Sequence, residues 1–216
     1  MKPRERRRAL LPIFFNMRFK VCGVPVCITW HFLALITFML SLHTENVMYA
    51  VVFSLLHETG HIAAMTALGN APLSVSLELT GINIRRRQET GISLIREIII
   101  ALAGPFVNFI LFVFLMLFYL QSGSVKCFNA SCVNLILMTF NLLPVKGLDG
   151  GKVLYYFVSK FFSFKTANII LRCSSAVFIL FMLFYGGYLL YITRSNFTML
   201  IIALMLTLAM FSKEEC

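Results

Sequence analysis

Two histidines and a glutamate, His57, Glu58 and His61, interrupt the largely apolar stretch VVFSLLHETGHIAAM (51–65). Histidines four positions apart project from one face of a helix, one turn above the other. That spacing lets two imidazole nitrogens reach one zinc ion at about 2.0–2.1 Å. Glu58, one step round the helix, can then hold and deprotonate a water in the open coordination position. At the frequencies of His and Glu in this chain, the His-Glu-x-x-His order should arise by chance only about 0.003 times. A polar cluster that merely joins helices would require neither this order nor this spacing.

Two histidines leave such a site one protein ligand short. Ala64 and Ala67 occupy the positions at which an extended histidine motif would place further ligands, so the third must come from elsewhere. Glu5, Glu214 and Glu215 are terminal, Glu45 precedes the stretch, and Glu78, Glu89 and Glu97 follow it. The remaining acid is Asp149, the sole aspartate, in NLLPVKGLDGGK. Pro144 stops a helix there, and Gly147, Gly150 and Gly151 permit unusual backbone. Asp149 is therefore a ligand candidate, with helix capping as its other reading.

The elements that must position these residues belong to a membrane. Of the 216 residues 59% are apolar and only 13% charged, and mean hydropathy is +0.86, too high for a soluble domain of this size. Crossing a bilayer takes about 20 apolar residues. Six segments are expected to do so: 26–42, 47–69, 95–120, a broken fourth from 132–143 on to about 162, 167–193 and 196–211. An ionised side chain at mid-bilayer costs about 2.5–3.5 kcal/mol, which makes an idle His-Glu-x-x-His there still less plausible. No cleavable signal peptide is expected, because a basic arm precedes the first apolar run.

Orientation follows from the 19 Lys and Arg. With both termini cytoplasmic, only Lys126 and Arg194 fall outside. The net charge of +10 is then accounted for by inner-face anchoring on anionic lipid, with no nucleic-acid partner. Residues 1–25 read as a basic interfacial arm and hairpin, 47–162 as the catalytic core and 163–216 as two C-terminal spans of a single membrane-embedded domain. His57 and His61 lie about 15–21 Å into an inward-running second span. The break at 144–151 reaches a similar depth, and irregular backbone is tolerated there only where it lines an enclosed or wet cavity. Cys127 and Cys132 flank an outer loop, and their spacing leaves pairing open.

FSLLHETGHIAA, ALAGPFVN and NLLPVKGLDGG resemble, in order and spacing, the three signature blocks of the site-2 proteases, which are intramembrane zinc metalloproteases. The six-span layout is similar to the stage IV sporulation protein FB branch of that family. The resemblance covers about residues 18–160. It implies one Zn2+ per chain held by His57, His61 and Asp149, with Glu58 as the catalytic base, and it implies that Asn141 and Asn108 line the substrate cleft. A membrane-tethered substrate such as a sigma-factor precursor or an anti-sigma factor, a bacterial cell membrane, sporulation and an inhibitory membrane protein partner also follow from it. Regulation through a nucleotide-binding CBS domain does not, because the sequence lacks one.

The fold class expected is thus an all-α integral membrane protein of about six transmembrane helices, with a small re-entrant β element and a broken fourth span. The β element is read from LSVSLELTGINI (73–84), which alternates apolar and polar residues. An unwound substrate could add to its edge. A second hairpin, FKVCGVPVCI (19–28) with a turn at Gly23–Val24, is expected beneath it. Two rival functions remain at this stage. A membrane zinc carrier would need several exchangeable sites along a path and no glutamate between the ligands, and a non-catalytic scaffold would need neither ligands nor base.

Overall fold

The structure of the chain, a computed structural model, describes residues 17–21, 24–28, 45–69, 74–78, 81–85, 93–195 and 197–211. Four strands are present, β1 (Met17–Val21), β2 (Val24–Ile28), β3 (Ser74–Glu78) and β4 (Gly81–Arg85). Six helices accompany them: α1 (Glu45–Ala67), α2 (Leu94–Ser122), α3 (Val125–Asn141), α4 (Asp149–Phe161), α5 (Phe164–Thr193) and α6 (Thr198–Phe211).

Among the described residues three helices, α1, α2 and α5, are long and apolar enough to cross a membrane, and α6 is a shorter apolar helix. The expected second, third and fifth spans correspond to those three. The expected first span, 26–42, begins in strand, because residues up to Ile28 belong to β2; 29–42 lie outside the described residues. The segment expected as a broken fourth span consists of two shorter helices, α3 and α4, separated by 142–148. Helix α3 starts at Val125, seven residues before the expected apolar run, directly after Ser124 at its N-cap. Cys127 and Cys132 consequently sit on one helix, five residues or about 7.5 Å of rise apart, and both are free thiols.

The strands form one sheet in the order β1-β2-β3-β4. β1 and β2 pair antiparallel, and Val24, expected in the turn, pairs with Val21. The run expected as a β element at 73–84 forms a hairpin of β3 and β4, with Val75 opposite Ile84. The two hairpins join edge to edge through a parallel β2–β3 pairing, so the first does not stack beneath the second.

Helix α2 is the hub of the helical part, packing on α1, α3 and α4, while α5 lies between α4 and α6. Helices α1 and α3 also touch. At their N-termini Lys126 Nζ donates to Glu45 Oε1 at 2.8 Å, so the two helices begin at the same end and run the same way. The hydrogen bond to Glu45 and the attraction of its carboxylate hold Lys126 above its usual range. The pair marks one end of the bundle, and the chemistry-bearing residues lie toward the other.

Candidate metal centre

Helix α1 carries His57 and His61 one turn apart on the face that meets α2, and both are buried. Helix α2 approaches closely because Gly104 lies opposite them. A Cβ built on Gly104 would fall on the Nε2 atoms of both histidines, so any larger residue would fill the place their ring nitrogens occupy. Gly60 performs the same service from α1, where a Cβ would meet Val107 and the Ala103 carbonyl.

Asp149 arrives from the break between α3 and α4. Its helix α4 starts at that residue, and the preceding Leu148 contributes no side-chain cap. Gly150 and Gly151 let the first turn of α4 lie directly on the loop, since added Cβ atoms would collide with the carbonyls of Leu142 and Val145. The Asp149 carboxylate is engaged with the histidines and Lys152, which sets aside its reading as a helix cap.

Asp149 Oδ2 lies 2.9 Å from His57 Nε2 and 3.1 Å from His61 Nε2, and the two Nε2 atoms are 3.2 Å apart. Tetrahedral bonds of about 2.0–2.1 Å would separate ligand atoms by about 3.3–3.4 Å, so this triangle is close to one face of a zinc coordination sphere. The proton arrangement supports a cation more directly. His61 Nδ1 is 2.7 Å from the Ile100 carbonyl oxygen, which can only accept, so that nitrogen carries the proton. In the neutral ring Nε2 is then a lone pair facing a carboxylate oxygen. Two acceptors in a buried site repel unless a proton or a metal ion lies between them. His57, His61 and Asp149 form the one cluster of metal-ligating side chains among the described residues, and the buried Glu97 is not part of it.

The other carboxylate oxygen, Asp149 Oδ1, accepts from Lys152 Nζ at 2.9 Å. That contact reserves Oδ1 for the ammonium and leaves Oδ2 to the centre. Sequence reasoning passed over Lys152, although the i,i+3 spacing in DGGK was a usable signal. Glu58 is half-buried beside the cluster, within the field of both histidines, Asp149 and Lys152.

The two asparagines part company. Asn108 is completely enclosed, and its amide lies 3.1 Å from His57 Nδ1. It stands behind a histidine, on the side of the ring away from Asp149. Asn141 is half-buried in the last turn of α3, where its Nδ2 donates to the Leu137 carbonyl.

The loop bearing Asp149 is held from outside α1 and α2. Ser174 donates to the Pro144 carbonyl at 2.7 Å, and the Lys146 amide donates to Ser175 Oγ at 2.8 Å. Val145 is fully buried against Ile179 and Leu206, and Lys146 Nζ reaches the Met210 carbonyl near the end of α6. No sequence motif announced this bracing.

Comparisons with known proteins agree with the geometry. Residues 125–184 match the family model of Peptidase family M50, a stretch that includes Asp149 but not the histidines. A zinc metalloprotease of Methanocaldococcus jannaschii is 28% identical over 181 residues, covering 77% of this chain and 52% of that protein. The chain thus spans about half the length of the curated relative it matches. The solved site-2 protease from Methanocaldococcus jannaschii shares the fold at a TM-score of 0.66 and 22% identity, over 93% of this chain and 97% of that one. The likenesses are thus a stretch similar to Peptidase family M50 and a fold shared with the solved structure.

Proposed function

We propose that this chain is an intramembrane zinc endopeptidase that cleaves a membrane-tethered protein, with His57, His61 and Asp149 as zinc ligands and Glu58 as the base. The observation that carries the reading is the buried triangle of two imidazole nitrogens and one carboxylate oxygen, with Glu58 beside it on a helix long enough to span a membrane. When bound, zinc supplies Lewis acidity toward the scissile carbonyl and lowers the pKa of a bound water toward about 7. Glu58 takes the proton from the attacking water and hands it to the leaving amine. Asp149 keeps one oxygen on the centre while Lys152 holds the other. The bundle walls shield the reaction from lipid, and Asn141, at the end of α3 just before the ligand loop, donates to the extended substrate backbone.

The finer reading rests on the sequence resemblance. It is a six-span single-domain protein of the stage IV sporulation protein FB branch, in a bacterial membrane with both termini cytoplasmic. Its substrate is a regulatory protein such as a sigma-factor precursor or an anti-sigma factor, and an inhibitory membrane protein partner controls it. The sheet is the re-entrant element, and an unwound substrate adds to an edge. The end strands β1 and β4 each pair with one neighbour, which supports such an addition. The carrier reading is disfavoured because the described residues hold one metal-ligating cluster and not a series along a path.

The test is Glu58→Gln in the full chain, purified in detergent and returned to bilayers. About one zinc per chain should remain while cleavage of a tethered substrate falls at least about 10²–10⁴-fold, the typical contribution of a general base. Undiminished cleavage would refute the assignment. Zinc flux through the vesicles would favour a carrier instead.

A further inference from the structure

The two histidines present their outer ring nitrogens to different kinds of partner. For His61 the partner is the Ile100 backbone carbonyl, 2.7 Å from Nδ1, which fixes the proton on Nδ1 and leaves Nε2 free to ligate. For His57 the partner is the side-chain amide of Asn108, 3.1 Å from Nδ1. An amide can meet a ring nitrogen in either sense, since its NH2 donates and its oxygen accepts. The recorded orientation points Nδ2 at His57 Nδ1 and leaves Asn108 Oδ1 buried with no hydrogen-bond partner. That orientation suits a His57 whose proton sits on Nε2 and is donated to Asp149 Oδ2, 2.9 Å away.

To ligate a zinc ion in the triangle, His57 Nε2 would have to be a lone pair and give up that proton. His57 must then carry its proton on Nδ1, where the NH2 of Asn108 would oppose it. Rotating the amide by 180° keeps its shape and brings the orphaned oxygen onto Nδ1. We propose that Asn108 is the positioning residue that sets the proton arrangement of His57, turning its carbonyl oxygen to Nδ1–H when the centre holds zinc. This rests on the metal reading above. It gives the GPFVN stretch of α2 a task in metal binding and not in substrate contact. Leucine at this position would fill a similar volume with no acceptor, and aspartate would supply an acceptor in either rotation.

The experiment measures the zinc dissociation constant of the full chain in detergent by competition with a chelator, for the wild type, Asn108→Leu and Asn108→Asp. Losing the partner of a ligating histidine costs 10–100-fold in metal affinity. Asn108→Leu should weaken zinc by about that factor, and Asn108→Asp should stay within about threefold of the wild type. A residue that only joins helices would show no such rescue by an acceptor. Zinc bound as tightly by Asn108→Leu as by the wild type would overturn the inference. A wild type that binds no zinc would instead overturn the metal reading on which it rests. Should Asn108→Leu fail to fold, ¹⁵N spectra of the zinc-loaded wild type decide: a His57 ring protonated on Nδ1 supports the inference, and one ligating through Nδ1 refutes it.

Discussion

Helix α1 and the segment 142–151 deliver ligands to the same three-atom cluster by opposite means. On α1 the work is local: helical periodicity alone stacks His57 over His61, and the helix would present them together almost anywhere it formed. The 142–151 segment has no regular repeat to rely on. Its carbonyls pack against Gly150 and Gly151, its backbone is tied to Ser174 and Ser175 of α5, and its Val145 is enclosed by Ile179 and Leu206. Two ligands are thus placed by short-range geometry and the third by contacts that come from tens of residues away. The pairing of the histidines along α1 should therefore be robust to change within that helix, while the placing of the aspartate is fragile.

Substitutions can break or sharpen that contrast. The largest effect is expected from Gly150→Ala, whose methyl group must displace the Leu142 and Leu143 carbonyls. Overpacking of this kind costs about 1–3 kcal/mol, and the shift it forces moves Asp149 itself. Zinc per chain should drop well below one by elemental analysis, and full occupancy would show that the loop yields more easily than its contacts suggest. A smaller loss is expected when Ser174 and Ser175 are both changed to Ala. Hydrogen bonds between membrane helices are worth about 0.6 kcal/mol each on average, so zinc affinity should fall by less than about tenfold in chelator competition. The smallest effect belongs to the histidine helix: Thr59→Ala removes only an exposed hydroxyl bonded to the Leu56 carbonyl and should leave zinc binding and melting unchanged. Equal sensitivity of the two sides would end the comparison.

Much of the site was legible in the sequence because its signals are local or unique. The His-Glu-x-x-His spacing is meaningful wherever a helix forms, and Asp149 could be reached by eliminating every other acid. The interruption near Pro144 was equally visible, because proline and clustered glycines act on the backbone whatever surrounds them. The strands at 74–85 announced themselves by alternation, but their pairing did not. Edge-to-edge joining of the two hairpins depends on a parallel β2–β3 register between segments some fifty residues apart. The contact between Asn108 and His57 is hidden for a similar reason. An amide four residues past Gly104 looks the same in sequence whether it faces a cleft or the back of a histidine.

The sequence by itself thus determined the candidate ligand types, the glutamate beside them, the apolar helices that carry them and the interruption near Pro144. These follow from periodicity, hydropathy and backbone chemistry, each of which acts over a few residues. Only the tertiary structure decided that Oδ2 of Asp149 meets both Nε2 atoms, that Lys152 holds the other oxygen, and that Asn108 stands behind His57. It also decided that α5 and α6 brace the ligand loop. Such relations depend on which helix faces meet and how closely glycine lets them approach. That is a property of packing between distant segments and is not written at any one position of the chain.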